Sequence, residues 1–288
     1  MIFNPTAGSV KDRALLLRRL ERLNPAAIWT TAGRGDAEIF ARRAVSEKCD
    51  YIIAAGGDGT LNEVVNGISR REGLRLGILP LGTGNDFARS LGLPMSIDEN
   101  IGLLRTGKTK RLDLVRVRNK QTRHFINVAA GGFSGLIRRK MTTRIKRAWG
   151  PLAYLRGAAA ALPKLRAYKT RVVLDNDEQF SLEVYNVVVA NGRFAAAGLP
   201  VAPQADLTDG LLDLILIPKL AASSMALLAA EIVLGKHLPN NAIVFRRARR
   251  ITVSSRPKMW FNVDGELVGN VPVTFQIVPK ALRVVVRK

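Results

Sequence analysis

Apolar runs alternate with amphipathic stretches through the first third of the chain. Ala27–Thr31, Tyr51–Gly56 and Leu76–Leu79 are short and apolar enough for strands buried on both faces. Between them, Lys11–Leu23 places Leu16, Leu20 and Leu23 on one helical face, and Ala37–Ser46 follows a loop ending in Asp36, a candidate cap. Thr60 reads as an N-cap, with Glu63 completing a capping box for the next helix. A short helix is expected at Phe87–Leu91, and Met1–Phe3 is too short for a strand on its own. Strands alternating with helices predict a parallel sheet with helices on its faces.

The pattern changes near Leu112. Leu112–Arg118, Phe125–Ala129, Arg171–Leu174, Leu182–Ala190, Leu212–Ile217, Ile251–Ser254, Met259–Val263, Val273–Val278 and Leu282–Val286 are short, rich in Val and Ile, and separated by turn residues. That spacing predicts an antiparallel sandwich or barrel. Two helices interrupt it, Pro151–Leu162 and Ala221–Leu234; the second is apolar nearly all round and is expected to be buried against the sheet. The chain thus divides into an α/β domain (1–112), a β-rich domain (113–270) and C-terminal strands (271–288) returning to the first domain.

Charge adds a partner to this picture. The net charge is +22, and its excess sits in two windows: residues 114–174 carry 15 Lys or Arg, residues 232–263 carry 7, and neither holds an acid. A one-signed surface attracts nucleic acid or anionic lipid headgroups. A plain solvated basic face is the third reading; no nucleic-acid motif is present and aromatic residues make up only 6%, few for base stacking. A single cysteine, Cys49, fits a reducing compartment, the N-terminus has no signal-peptide pattern, and no apolar run reaches a membrane span. A cytoplasmic protein is expected.

The chemistry concentrates in glycine-rich turns. The Gly56–Gly59 backbone lies just before a helix N-terminus, where N–H groups and the helix dipole favour a phosphate. Asp58 would repel that phosphate unless a divalent cation such as Mg²⁺ lay between them. Asp86 stands 28 residues later, about one βαβ unit, so both carboxylates should lie at the C-terminal edge of neighbouring strands. Asn4–Ser9 and Thr31–Asp36 join Gly56–Thr60 and Gly82–Asp86 on that edge as a nucleotide cleft. No P-loop or dinucleotide fingerprint occurs, and His124 and His237 stand far apart. Asp206–Asp213 has the oxygen density of a cation-ordered loop or of a plain turn. Asp264-Gly265-Glu266 follows a strand as a hairpin turn does.

Taken in order, Asn4-Pro5-Thr6-Ala7-Gly8, Gly56-Gly57-Asp58-Gly59-Thr60-Leu61-Asn62-Glu63, Leu81-Gly82-Thr83-Gly84-Asn85-Asp86, Asp206–Asp213 and Asp264-Gly265-Glu266 resemble the diacylglycerol kinase catalytic-domain family. Within it the chain is most similar to soluble bacterial lipid kinases, relatives of sphingosine and ceramide kinases. The resemblance implies a nucleotide-binding domain of NAD kinase/diacylglycerol kinase type plus a C-terminal antiparallel β-sandwich. It implies transfer of the γ-phosphoryl group of ATP to a lipid hydroxyl, diacylglycerol by default. Asn4, Pro5, Thr6, Ala7, Gly8, Thr31, Gly57, Asp58, Gly59, Thr60, Leu61, Asn62, Glu63, Thr83 and Asn85 would then contact ATP. Asp58 and Asp86 would order the catalytic Mg²⁺. Asp209, with the carbonyls of Asp206 and Leu211, would form a structural Mg²⁺ site. Asp264 or Glu266 would be the general base, with Asp264 favoured, and the reaction would take place between the domains. Arg138, Arg139, Lys140, Arg144, Lys146 and Arg147, with Trp149 and Tyr154, would dock on anionic lipid, and exposed edge strands make a homodimer plausible. Two departures stand out. Only Met1-Ile2-Phe3 precede Asn4, so an edge or central strand is expected to be incomplete, and Ala195-Ala196-Ala197 stand where the family usually has glycines. If those positions need positive φ, alanine strains the loop.

Overall fold

The computed structural model describes residues 1–10, 12–69, 71, 73–132, 165–175, 178–269 and 272–287. Helix Pro151–Leu162 and the docking face from Arg138 to Tyr154 lie outside the described residues. The chain forms two compact units, Met1–Leu114 with Pro279–Lys288, and Val115–Val278.

In the first unit, β1 (Ile2–Phe3), α1 (Arg13–Glu21), β2 (Trp29–Thr30), α2 (Asp36–Ser46), β3 (Tyr51–Gly56), α3 (Asp58–Ile68), β4 (Arg75–Pro80), α4 (Asp86–Ser90) and α5 (Ile97–Thr106) follow in order. β2, β1, β3 and β4 lie side by side, all parallel, and the end of the last strand adds to β4, with Arg283 beside Arg75. β3 and β4 are buried over nearly their whole length, which is why their sequences are unbroken apolar runs rather than alternating ones. Met1–Phe3 does make a strand. Two residues suffice because β1 is paired on both sides, Ile2 with Trp29 and with Ala54. The sequence reading also passed over α5, whose buried Ile101 and Leu104 cover the sheet.

The second unit is antiparallel. β5 (Lys108–Arg118) enters it; β6 (Thr122–Phe125), β7 (Val128–Gly132), β8 (Tyr168–Leu174), β9 (Glu178–Ala190), β10 (Leu212–Pro218), α6 (Ala222–Leu234), β11 (Val244–Ala248), β12 (Arg250–Arg256), β13 (Phe261–Val263), β14 (Glu266–Val268) and β15 (Val273–Val286) follow. The 13-residue β9 is the hub: its first half pairs with β8, its second half with β7 on one side and β10 on the other. Inward residues of these strands build one apolar core around Phe125, Phe261 and Phe275.

One expectation needs correction here. Val273–Val278 and Leu282–Val286 are one strand, β15. Pro279-Lys280 does not break it because the Lys280 N–H donates to Oδ1 of buried Asp113 at 2.7 Å. Helix α6 packs against the sheet as expected, by one stripe: Met225 and Leu228 enter the core, while Leu227 and Leu234 are 60% and 67% exposed. A helix on one face of a sheet buries one stripe, whatever the hydrophobicity of the other.

Candidate active site

The parallel sheet reverses its winding between β1 and β3, since β2 is added outside β1 and β4 outside β3. Ligands of open α/β sheets sit beyond the strand ends at such a point. Asn4, Gly57, Thr31 and Leu81 each directly follow a strand, so the four predicted turns leave from one edge. A hydrogen bond crosses the switch point, with Asn4 Nδ2 donating to Thr60 Oγ1 at 2.9 Å. Asn4 Oδ1 accepts from the N–H and the hydroxyl of Thr6, both at 2.9 Å, so one amide organises the whole Asn4–Gly8 turn.

Helix α3 begins one turn earlier than the sequence suggested. Its N-cap is Gly57, in extended conformation, and Thr60 lies inside the first turn. Glu63 does not close a capping box. Its Oε2 accepts from the Ala37 N–H at 3.2 Å and thereby ties α3 to the start of α2. Because the cap is a glycine with no side chain to occupy it, the first-turn N–H groups of Gly59 and Thr60 have no intrahelical acceptor and suit an incoming phosphate. Leu61 and Asn62, in the same helix, are buried.

The two glycine turns touch. A Cβ at Gly82 would sit 2.6 Å from the Gly57 Cα, and one at Gly8 would sit 2.3 Å from Thr83 Oγ1. Asn85 fixes the second turn by a double hydrogen bond to Gly82, accepting from its N–H and donating to its carbonyl, each at 2.8 Å. It also takes the left-handed N-cap position of α4, a conformation asparagine tolerates. Asp58 Oδ1 accepts from the Phe87 N–H at 3.2 Å, which places it against the first turn that carries buried Asp86. Burial pushes the Asp58 carboxyl up from its usual range, and backbone N–H groups of Phe87, Asp86 and Asn85 oppose that shift. Thr31 is buried, its N–H on the Phe3 carbonyl at 2.9 Å, and Asp36 folds back to accept from Ala32 and Gly33 N–H.

The second unit carries the remaining candidates. Asp264 has φ of 42°, and its carboxylate accepts three backbone N–H bonds, from Ile126 at 2.8 Å, Asn127 at 3.1 Å and Val128 at 2.9 Å. Glu266 is instead held by a side chain, Arg123 Nη2 at 3.2 and 3.4 Å. In the acidic loop, Asp206 Oδ1 accepts from the Thr208 N–H and hydroxyl, and Asp209 Oδ1 from the Leu211 N–H. The loop's cation in this structure is Arg247, 2.8 Å from Asp213 Oδ1 and 3.5 Å from Asp209 Oδ2. Asp213 is 2% exposed, and burial raises its carboxyl to about 6 despite that guanidinium. Among the described residues no group of three or more acidic, His or Cys side chains gathers as a metal cage. Asp58 and Asp86 are two carboxylates, the number Mg²⁺ commonly takes when substrate phosphates supply the rest. The roles of Arg123 and Arg247 as partners of acids escaped the sequence reading; a basic residue's acidic partner, many residues away, leaves no local pattern.

A parallel sheet with glycine turns along one edge, followed by an antiparallel β unit, is the fold of the NAD kinases and diacylglycerol kinases. The comparisons narrow this. Residues 1–117 match the diacylglycerol kinase catalytic domain, and residues 127–286 the YegS C-terminal NAD kinase beta sandwich-like domain. The diacylglycerol kinase of Staphylococcus haemolyticus is 35% identical over 280 residues, which cover 96% of this chain and 84% of that protein. A Staphylococcus aureus diacylglycerol kinase is 33% identical over 96% of this chain and 88% of its own. A crystal structure from Bacillus anthracis, described as a diacylglycerol kinase, superposes with a TM-score of 0.85 at 25% identity over 99% of this chain and 94% of that one. An Archaeoglobus fulgidus NAD kinase in complex with ATP shares the fold at a TM-score of 0.53 and 14% identity, over 100% of this chain and 92% of that one. The chain belongs to the diacylglycerol kinase family of ATP-dependent lipid kinases.

Proposed function

We propose that this protein phosphorylates diacylglycerol at an anionic membrane surface, using ATP and Mg²⁺. The observation that carries the reading is the Asn4–Thr60 bridge at the sheet's switch point, flanked by Asp58 and Asp86. It supplies N–H donors for phosphates and carboxylates for a cation, in a chain whose relatives are named diacylglycerol kinases. Phosphoryl transfer depends on positioning and charge neutralisation, which this edge is built to give. Gly57, Gly59 and Thr60 receive the phosphates, and the Asn4–Gly8 and Gly82–Asn85 turns hold that backbone in place. Asp58 and Asp86 would hold Mg²⁺, which when bound neutralises charge developing on the transferred group.

Glu266, rather than Asp264, takes the proton of the acceptor hydroxyl. Asp264 is fixed by three backbone N–H groups that cannot move aside, so its role is to hold the Ile126–Val128 backbone. Glu266 is paired with the Arg123 side chain, and a side chain can swing away as an incoming hydroxyl approaches. The lipid surface is supported by the two basic windows, each Lys or Arg near an anionic leaflet adding about 1 kcal/mol. The test is transfer of radiolabelled γ-phosphate from ATP to diacylglycerol, phosphatidylglycerol, a sphingoid base and NAD, in anionic mixed micelles, with Asp58→Asn beside the wild type. Label in phosphatidic acid, lost in the variant, is the expected result. Label in another lipid or in NAD, and none in phosphatidic acid, overturns the assignment of substrate.

A further inference from the structure

Helix α6 stays apolar on the side that faces away from the protein. Met225, Leu228 and Ile232 pack on the sheet beneath, in the cluster that holds Val188, Ile215 and Ile217. Leu227, Ala230 and Leu234 recur at steps of three and four residues, as neighbours on one helical face do. At 3.6 residues per turn they fall opposite Met225 and Ile232, and all three are exposed. The one charged residue of the helix, Glu231, is half-buried, and its Oε2 accepts from Asn240 Nδ2. A helix that covers a sheet in water normally carries polar and charged residues on its outer face. The C-terminal end of α6 is tied to the loop after Asn191-Gly192. A Cβ at Gly235 would lie 3.2 Å from the Pro200 ring, and His237 Nε2 donates to the Val201 carbonyl at 3.0 Å. That loop in turn receives Asn127 Nδ2 at the Phe194 carbonyl, at 2.7 Å, and the Asn127 N–H donates to Asp264. Helix, loop and the Asp264–Glu266 turn are therefore linked through hydrogen bonds within the second unit.

Length, charge and area decide what covers this face. Thirteen residues of helix span about 20 Å, well short of the roughly 30 Å hydrocarbon core, so α6 can lie along a bilayer but not through it. Exposed lysines stand just beyond both ends, Lys219 before the helix and Lys236 after it. The Glu183 carboxylate is 3.8 Å from the Lys219 ammonium, an exposed pair of the kind worth little in water. The helix also ends inside the window 232–263, which carries 7 Lys or Arg and no acid. A lysine stem follows apolar surface while its ammonium reaches headgroups, so lysines at both ends of an apolar stripe suit an anionic leaflet. A second copy of the chain fits less well. Leu227, Leu234, Ala226 and Ala230 together expose far less than the roughly 800 Å² per partner of a stable protein interface. We infer that α6 is the element of the β unit that enters the membrane surface, lying in the plane of an anionic leaflet with Leu227, Ala230 and Leu234 among the upper acyl chains. This inference rests on the membrane-surface reading above and adds to it the place of contact. It also sets the acceptor side toward the lipid, since the connected turn carries Glu266.

The test is flotation of the full chain with vesicles of equimolar phosphatidylcholine and phosphatidylglycerol. Wild type is compared with Leu227→Ser/Leu234→Ser and with Leu227→Trp/Leu234→Trp, and melting curves of the three proteins exclude misfolding as the cause. Each leucine lost should lower partitioning about tenfold, so the serine variant should bind about 100-fold more weakly than wild type. The tryptophan variant should bind more tightly than wild type, because indole rings favour the lipid–water boundary. A serine variant that floats as wild type does overturns the role of α6 and leaves the membrane-surface reading standing. A tryptophan variant that binds no better than the serine variant also overturns it, since the leucines would then act through something other than insertion. Wild type that does not float at all overturns both the inference and the reading on which it rests. Sedimentation without vesicles separates the remaining occupant: a dimer that the serine substitutions dissociate, with vesicle binding unchanged, assigns the face to a second copy and overturns the inference.

Discussion

The loop after Asn191-Gly192 stores strain that two substitutions should release. Ala195 and Leu199 close a small hairpin, with N–H to carbonyl bonds of 2.9 and 2.8 Å in both directions. The three residues between them, Ala196, Ala197 and Gly198, have φ of 59°, 71° and 100°. Only the last is a glycine. An L-residue in the left-handed region costs about 1–2 kcal/mol, because its Cβ crowds the following carbonyl. Replacing it by glycine returns that cost less about 0.4–1 kcal/mol for the freer unfolded chain. Each of Ala196→Gly and Ala197→Gly should therefore stabilise by about 0.5–1 kcal/mol, and the pair by roughly 1–2 kcal/mol. For a unit of this size that is a melting-point rise of roughly 2–8 °C. Urea unfolding with circular dichroism gives the same quantity from the midpoint, at unchanged slope. A double variant no more stable than wild type would refute the argument. It would mean that the two methyl groups gain more from packing in this half-buried loop than their backbone loses.

Four further outcomes follow from the sites. Glu266→Gln should lower turnover by about 10²–10⁴-fold while leaving the stability within about 1 kcal/mol of wild type, since its pair with Arg123 is partly exposed. Asp264→Asn should instead destabilise by about 2–4 kcal/mol, because an amide cannot accept all three backbone N–H bonds it inherits; thermal melts beside the kinase assay separate the two roles. Asp213 is raised by burial to about 6, so its neutral form is favoured by folding. Its contribution is complete below the unfolded value near 4 and is lost as pH rises through 6. In chelator-treated protein, unfolding free energy should fall by about 2–3 kcal/mol across that window, and Asp213→Asn should flatten the profile. Gly82→Ala should weaken nucleotide binding and destabilise by about 1–3 kcal/mol, because its Cβ meets the Gly57 backbone rather than a movable side chain; equilibrium binding of a fluorescent ATP analogue and a melting curve read both effects.

Much of this protein was legible in its sequence, because much of it is local. Unbroken apolar runs marked β3 and β4, and period-2 alternation marked the β unit. The glycine turns after strands marked one edge of the parallel sheet, and the ordered motifs marked the family. Each depends on residues within a few positions of one another. The replacement of glycines by Ala195-Ala196-Ala197 also raised the question of positive φ, which the backbone answers. What the sequence left undecided depends on partners distant along the chain. Two residues of β1 form a strand only because strands flank both sides. Thr60 looked like a cap, but a glycine caps α3 and the Thr60 hydroxyl receives Asn4. Glu63 looked like part of a capping box, but it reaches the start of another helix. Asp264 and Glu266 are one residue apart, and in sequence either could be a base. Three N–H groups at the entry to β7 hold one, and an arginine on β6 pairs with the other. Hydrophobic periodicity fixes which elements form, because burial repeats with the period of the element. The pairing of polar groups depends on geometry between elements, so only the tertiary structure decides it.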